Sequence, residues 1–429
     1  MRVRLDYGRQ GLEVELPDRN VVGVLSLRNA PHLADPNPAL SAALERPIGS
    51  APLSELARGK RNACIVVCDV TRPVPNPTIL PHVLRALESG GIPRSEVTIL
   101  VATGTHRPNL GEELARMVGE EAMRDCRVVN HYCEDHDAMV DLGESPMGVP
   151  VRLNRAYVEA DLKVTSGMIE PHFMAGYAGG RKMVMPGVAA LETVQAWHSP
   201  RFLEHPNATM GVTVGNPVHE ESLAIAKMAR PDFIVDVALD VEKRICAVFA
   251  GDLEEAWEAG VAFVAKTVFD FVDAPVDICV TTSGGHPLDL TYYQTIKGLV
   301  GALPIVKPGG TIIVASRIAE GVGNDHFFET LMRIDDIRAF PETIQRPDWT
   351  PVGDQWQIEE LAKAVRHHRV SVVTEGLDPD LLTRLFVTPF PTVETAVEEA
   401  LAVHGPDAKI AVIPKGPYVI PAIRPAVPA

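Results

Sequence analysis

NACIVVCD, residues 62–69, decides the fold. An unbroken run of small and apolar residues closed by an aspartate leaves no polar face, so this segment reads as a strand covered on both sides. After it, TRPVPNPT turns into a helical stretch, ILPHVLRALESG, which Gly90 and Gly91 terminate. The pattern then repeats. VTILVATG (97–104) is a strand, LGEELARMVG a helix, and DLKVTSG (161–167) another strand. FIVDVALD (233–240) and ICAVFAG (245–251) continue the series, and EEAWEAGVAFVAKTV closes it as a helix. Apolar strands alternating with helices predict an α/β fold with a mostly parallel sheet and helices on both faces.

A second series begins near residue 275. It runs VDICVTTSG, a helix containing TYYQTIKGLVGAL, then GGTIIVASR, HRVSVVTE and KIAVIPKG. The chain is therefore expected to form two α/β domains with mostly parallel sheets and an active-site cleft between them. The expected limits are residues 1–270 for a cofactor-binding and catalytic domain and 275–416 for a smaller domain contributing to the substrate cleft. The boundary falls in FDFVDAPVD, about residues 269–277. An irregular tail is expected over 417–429. The opening MRVRLDYGRQGLEVELP alternates around a Gly-containing turn and reads as a β-hairpin.

A length of 429 residues is too great for one ordinary core, in agreement with two domains. The net charge of −16 disfavours nucleic acid and acidic membrane as partners. No apolar stretch approaches the roughly 18 residues a membrane helix needs. The six cysteines (64, 68, 126, 133, 246 and 279) are scattered without a CxxC pair and read as reduced, which with the absence of a leader pattern predicts a cytoplasmic protein.

In open α/β sheets, ligands bind beyond the carboxyl ends of the strands. Three predicted strands end in chemically capable loops: Asp69, Thr71 and Arg72; Thr105, His106 and Arg107; Glu170 and His172. Any one of these fits ordinary loop chemistry, and Asp69 alone would serve as a cap. Together they outline a site. Histidine suits proton transfer near neutrality. Arginine suits a carboxylate through paired hydrogen bonds.

Gly176, Gly179 and Gly180 follow His172 and allow close backbone approach to a ligand. The loop is neither a Walker A motif, since Met183 follows Lys182, nor a G-x-G-x-x-G fingerprint. Arg181 beside Lys182 disfavours protonation of the lysine. His198 ends the helical stretch GVAALETVQAWH and fits either a capping residue or a nitrogen ligand for nickel, copper or zinc. In the second domain, Gln294 and Lys297 share one helix face, which is equally the pattern of a solvated surface. Tyr292 and Tyr293 read as one core and one surface residue.

Taken in order, DVTRPVP (69–75), GTHRP (104–108), PHFMAGYAGGRKMVMPG (171–187), His198 and YYQTIKG (292–298) resemble the nickel-dependent lactate racemase family. The resemblance covers nearly the whole chain. It implies a racemase or epimerase that inverts the α-carbon of a small 2-hydroxy acid, lactate or a related acid. The implied cofactor is a nickel pincer nucleotide attached covalently at Lys182, with His198 as the protein ligand to nickel. His106 and His172 fall on the catalytic histidines. Arg72, Tyr293, Gln294 and Lys297 fall on substrate-binding positions, and Asp69 and the three glycines are expected at the cofactor. Hydride would leave the substrate for the cofactor while a histidine takes the hydroxyl proton, through a 2-keto acid. The implied partners are a small anionic 2-hydroxy acid and cofactor-biosynthesis proteins; a homo-oligomer is left open. Two other readings compete: a non-catalytic nucleotide- or metal-binding protein, and an NAD-dependent 2-hydroxy acid dehydrogenase, whose fingerprint is missing.

Overall fold

The protein is described here by a computed structural model covering residues 1–28, 30–346 and 348–425. The predicted first strand is Ala63–Cys68, buried at every position. Burying side chains such as Ile65, Val66 and Val67 contributes about 1.5–3 kcal/mol each. This strand lies inside a six-stranded sheet. Its order is Ile245–Gly251, Phe233–Leu239, Leu162–Met168, Ala63–Cys68, Val97–Ala102, Arg127–Asn130. All neighbours are parallel except the first pair, which is antiparallel.

The order reverses beside Ala63–Cys68. From there the chain steps outward to Val97–Ala102 and Arg127–Asn130, then returns on the other side as Leu162–Met168. Such a switch point opens a crevice at the strand ends. The loops that begin at Asp69, Thr103 and Ile169 all rise from this end of the sheet.

The second sheet is also six-stranded and wholly parallel: Thr388–Phe390, Arg369–Val373, Val306–Ala315, Val276–Thr282, Ile410–Ile413, Val21–Val24. The helix Tyr292–Ala302 follows its central strand, with the Thr291 side chain accepting from the Gln294 backbone N–H as an N-cap.

Two features differ from the expected domain limits. The N-terminal hairpin forms as read, Arg2–Leu5 against Leu12–Glu15. However, it does not belong to the first domain. Val3, Leu5, Val14 and Leu16 pack with Ile278, Val280 and Ile313 of the second sheet, and Val21–Val24 is that sheet's edge strand. A short amphipathic hairpin needs a face to bury against, and sequence does not say which domain supplies it. The tail is also not wholly irregular: Ile420–Ile423 pairs in parallel with Phe269–Val272. Pro421 is tolerated in this strand because the ladder has only two members. The last four residues of the expected tail, 426–429, lie outside the described residues. All six cysteines are free. Among the described residues, no helix is long and apolar enough to cross a membrane.

Candidate active site

One cleft between the domains is lined by Asp69, Arg72, His106, His172, Gly179, Lys182, His198, Tyr293, Gln294 and Lys297. The structure thus brings the side chains singled out in the sequence into one cleft across two domains, with two exceptions. Gly176 and Gly180 do not line the cleft; they sit behind it. A Cβ on Gly176 would meet the Val212 carbonyl oxygen, and one on Gly180 would lie 2.8 Å from Trp257. Both glycines support the loop, while Gly179 alone faces the cleft. The Gln294–Lys297 face is cleft wall and not a solvated surface.

The first loop is an Asx turn. Asp69 Oδ1 accepts from the Thr71 backbone N–H at 3.2 Å and from its hydroxyl at 2.6 Å. The other oxygen, Oδ2, is 2.7 Å from Nδ1 of His106. The carboxylate is thus committed to His106 and Thr71, where the sequence reading had placed it at the cofactor. Burial pushes its acidity toward the neutral form, but the hydrogen bonds from His106 and Thr71 prevail and hold its pKa low. An ionised Asp69 fixes the His106 proton on Nδ1 and leaves Nε2 as an acceptor on a ring that lines the cleft.

His172 is arranged differently. Its Nδ1 accepts from the backbone N–H groups of Ala175 and Met174, at 3.3 and 3.5 Å. Its ring stacks on Phe173, centroids 4.8 Å apart. Burial holds its pKa well below the usual histidine value, and the cations of Lys182, Arg72, Lys297 and Arg181 push the same way.

Arg72 is held by Glu170, from the strand end that also carries His172. Glu170 Oε1 accepts from Arg72 Nε at 2.8 Å. Burial opposes the guanidinium charge, but Glu170 and Asp69 keep it firmly cationic. With Nε tied and Nη1 held only by a 3.5 Å contact to the Thr71 carbonyl, the outer nitrogens of the fork can turn to a ligand carboxylate. Across the cleft, Lys297 Nζ lies 5.8 Å from the Phe173 ring centroid. Burial, and then Arg72, bring its pKa down to about 7. Tyr293 lines the same wall, but its hydroxyl donates to Asp354 Oδ1 at 3.0 Å.

The far wall carries Lys182 and His198. Lys182 follows Gly179 and Gly180, at φ +78° and +51°, conformations glycine adopts without strain. The loop is pinned from beneath by Asp236, whose Oδ2 accepts the Gly180 N–H at 2.7 Å, and by Arg181, which lies over Trp257 at 4.3 Å. Burial and the neighbouring Arg181, Arg72 and Lys297 hold the Lys182 amine well below its ordinary pKa, which favours the nucleophilic, neutral form. His198 donates through Nδ1 to the Val194 carbonyl at 3.1 Å, so Nε2 keeps its lone pair. Burial, then Lys182, pushes its pKa down to about 3. Trp356 of the second domain stacks on this ring, centroids 4.5 Å apart and planes 20° apart. Trp356 and Gln357 were not found from sequence. They lie near the start of an ordinary amphipathic helix, Gln355–His367, and no motif marks them.

Models of the lactate racemase N-terminal and C-terminal domains match residues 7–211 and 272–421. The chain belongs to the lactate racemase family. It is 38% identical over 421 residues to the lactate racemase of Lactiplantibacillus plantarum, covering 97% of this chain and 99% of that one. It is 34% identical over 422 residues to the lactate racemase of Thermoanaerobacterium thermosaccharolyticum, covering 97% and 98%. The solved apoprotein of the latter enzyme superposes with a TM-score of 0.92, over 98% of this chain and all of that one. A solved protein from Thermotoga maritima, 20% identical, shares the fold with a TM-score of 0.66 over 87% of this chain and 96% of its own. Family and geometry thus agree that the chain is an enzyme of the racemase kind, and the cleft is its candidate active site.

Proposed function

We propose that this enzyme inverts the α-carbon of a small 2-hydroxy acid, lactate in the first instance, with a nickel pincer nucleotide held at Lys182 and His198. The observation that carries the reading is the meeting, in one cleft, of two histidines from different strand ends with a carboxylate-binding pair, Arg72 and Lys297.

The residues fit the cofactor. Lys182 is a buried amine biased to the neutral form, as covalent attachment requires. His198 offers a free Nε2 with its other nitrogen fixed by a backbone carbonyl, the usual state of a metal-ligating histidine. Gly179 lines the cleft with backbone, and because a Cβ there would lie 2.7 Å from Asp236 and 2.8 Å from the Met168 carbonyl oxygen, the glycine lets the loop that carries Lys182 sit close on the sheet. When bound, the group supplies a reversible hydride acceptor, chemistry no side chain offers.

The chain's own residues do the rest. Arg72, oriented by Glu170, and Lys297 take the substrate carboxylate. His106, through Nε2, accepts the hydroxyl proton of one enantiomer, and Asp69 stabilises the imidazolium that forms. His172 is the second acid–base group, serving the other enantiomer once its Nδ1 leaves the 3.3 and 3.5 Å contacts from Ala175 and Met174 to take a proton. The second domain completes the cleft with Gln294, Lys297 and Trp356 and keeps water from the keto acid. On this reading the partners are the hydroxy acid itself and the proteins that make the cofactor.

Incubating cofactor-loaded enzyme with single enantiomers of lactate and longer 2-hydroxy acids, followed by chiral chromatography, tests the proposal. Approach to a racemic mixture from either side is expected. Cofactor binding without inversion of any acid would refute it in favour of a non-catalytic carrier.

A further inference from the structure

Beside the carboxylate-binding pair, the cleft runs on into a smaller chamber. Arg72, His172, Phe173 and Lys297 line both spaces, and Leu288 stands at the join. The chamber's further walls are Pro171 and Met210 of the first domain and Pro417 and Tyr418 of the second. Phe173 and Met210 are buried apolar side chains. The polar groups that reach this space are committed elsewhere: Glu170 is paired with Arg72 at 2.8 Å, and the Thr71 hydroxyl donates to Asp69 at 2.6 Å. The chamber measures about 50 Å³. A water-sized group needs about 10–15 Å³ of such space, so about three carbon atoms fit. The opposite flank of the cleft is open, with the His106 side chain 47% exposed.

Inversion of a carbon centre gives this inequality a consequence. With the carboxylate at Arg72 and Lys297 and the α-hydrogen aimed at the Lys182–His198 wall, two directions remain for the hydroxyl and the side chain. Exchanging those two groups is what converts one enantiomer into the other. A hydroxyl at His106 sends the side chain to the His172 flank and the chamber. A hydroxyl at His172 sends it to the open rim.

We propose that the chamber walled by Met210, Leu288 and Pro417 receives the substrate side chain of the enantiomer whose hydroxyl faces His106, and that the enzyme's substrates extend to apolar 2-hydroxy acids of about four to six carbons. The inference rests on the reading of Arg72 and Lys297 as carboxylate holders and of the two histidines as opposed acid–base groups. Each methylene buried in the chamber tightens binding about fourfold, whereas one at the rim stays in water and gains little. A side chain carrying a second carboxylate would meet Glu170 in the chamber and lose its water there. Because enantiomers have equal free energies, kcat/KM must be the same for both. The enantiomer with the lower KM therefore also has the lower kcat.

The test is a chain-length series with cofactor-loaded enzyme. KM and kcat are measured for each enantiomer of lactate, 2-hydroxybutyrate, 2-hydroxyvalerate, 2-hydroxyhexanoate and 2-hydroxyoctanoate. For one enantiomer, the same one throughout, KM should fall about fourfold per added carbon as far as hydroxyhexanoate and stop falling at hydroxyoctanoate. For the other, KM should stay nearly constant. In Met210→Phe and in Leu288→Phe, each of which fills part of the chamber, KM taken relative to lactate in the same variant should lose its dependence on length. The wild-type series decides alone if either variant folds poorly. Lactate racemised with a wild-type KM indifferent to length, or falling equally in both enantiomers, would overturn the proposal and leave the racemase reading standing. A one-sided dependence that survives in both folded variants would also overturn it, by placing the side chain elsewhere. Failure to invert any acid of the series would overturn the racemase reading, and this inference with it.

Discussion

Oδ2 of Asp69 stands 2.7 Å from Nδ1 of His106, joining the ends of two adjacent parallel strands. This contact sets which nitrogen of His106 carries the proton in the neutral ring. Asp69→Asn keeps the shape but allows the amide to donate to Nδ1, which moves the ring proton to Nε2. We expect kcat of the loaded enzyme to fall by about 10²–10⁴-fold, with the thermal midpoint little changed. Activity within a few-fold of wild type would remove Asp69 from the proton path.

Glu170 acts through Arg72, as a positioning residue. Glu170→Gln loses the charge that anchors Nε, and the guanidinium can swing from its place. KM for the hydroxy acid should rise about tenfold or more, the loss of roughly 1.4 kcal/mol of binding, while kcat changes less. An unchanged KM would show that Arg72 is held adequately by its other contacts.

Lys297 gives the site a pH limit. A lysine is charged below its pKa and neutral above it, and here that value is brought down to about 7. Affinity for the substrate anion should therefore weaken as pH rises through and beyond 7. In Lys297→Arg, which stays cationic, the KM profile should flatten over the same range. A wild-type KM that is flat between pH 6.5 and 8.5 would contradict this.

Most of the fold was legible because its strands are long apolar runs, of which Ala63–Cys68 is the clearest. The site was legible because strand order forces Asp69, His106 and His172 to one crevice, whatever their distance in sequence. What escaped has a common cause. Residue type gives Asp69 its chemistry but not its partner, and the 2.7 Å contact to His106 leaves no local pattern in the sequence. Gly176 and Gly180 were assigned to the cleft because glycines announce close approach without saying to what; here it is Val212 and Trp257. Trp356 reaches His198 only through domain packing, which leaves no local pattern. The same holds for the N-terminal hairpin, whose apolar face does not name the sheet it covers.

The Gly179 position also permits a stability test. Its φ is +78°, and a Cβ would lie 2.7 Å from an Asp236 oxygen and 2.8 Å from the Met168 carbonyl. Gly179→Ala should cost on the order of 2 kcal/mol or more and lower the denaturation midpoint. Loss of Lys182 attachment should accompany it. A variant as stable as wild type would mean the loop moves freely.

Acid should destabilise the protein before its carboxylates titrate. His131 is buried with both ring nitrogens used in the neutral form: Nε2 donates to the Ala189 carbonyl at 2.9 Å, and Nδ1 accepts from Asn154 at 3.1 Å. Burial lowers its pKa to about 4. Between that value and the unfolded value of about 6.5, the unfolded chain binds a proton that the folded chain refuses. Stability is therefore retained above pH 6.5 and lost as pH falls toward 4. Urea midpoints across this range should fall more steeply for wild type than for His131→Asn, and equal slopes would contradict the assignment.

The reaction itself is tested most directly by the fate of the α-hydrogen. Cofactor-loaded enzyme is incubated in D₂O with one enantiomer of lactate, and the inverted product is isolated and analysed by mass and NMR. Inversion by hydride return predicts product that keeps its original hydrogen at the α-carbon, with no deuterium there. Inverted product carrying solvent deuterium at that carbon would mean that a proton, and not a hydride, leaves the substrate, and would contradict the proposed mechanism.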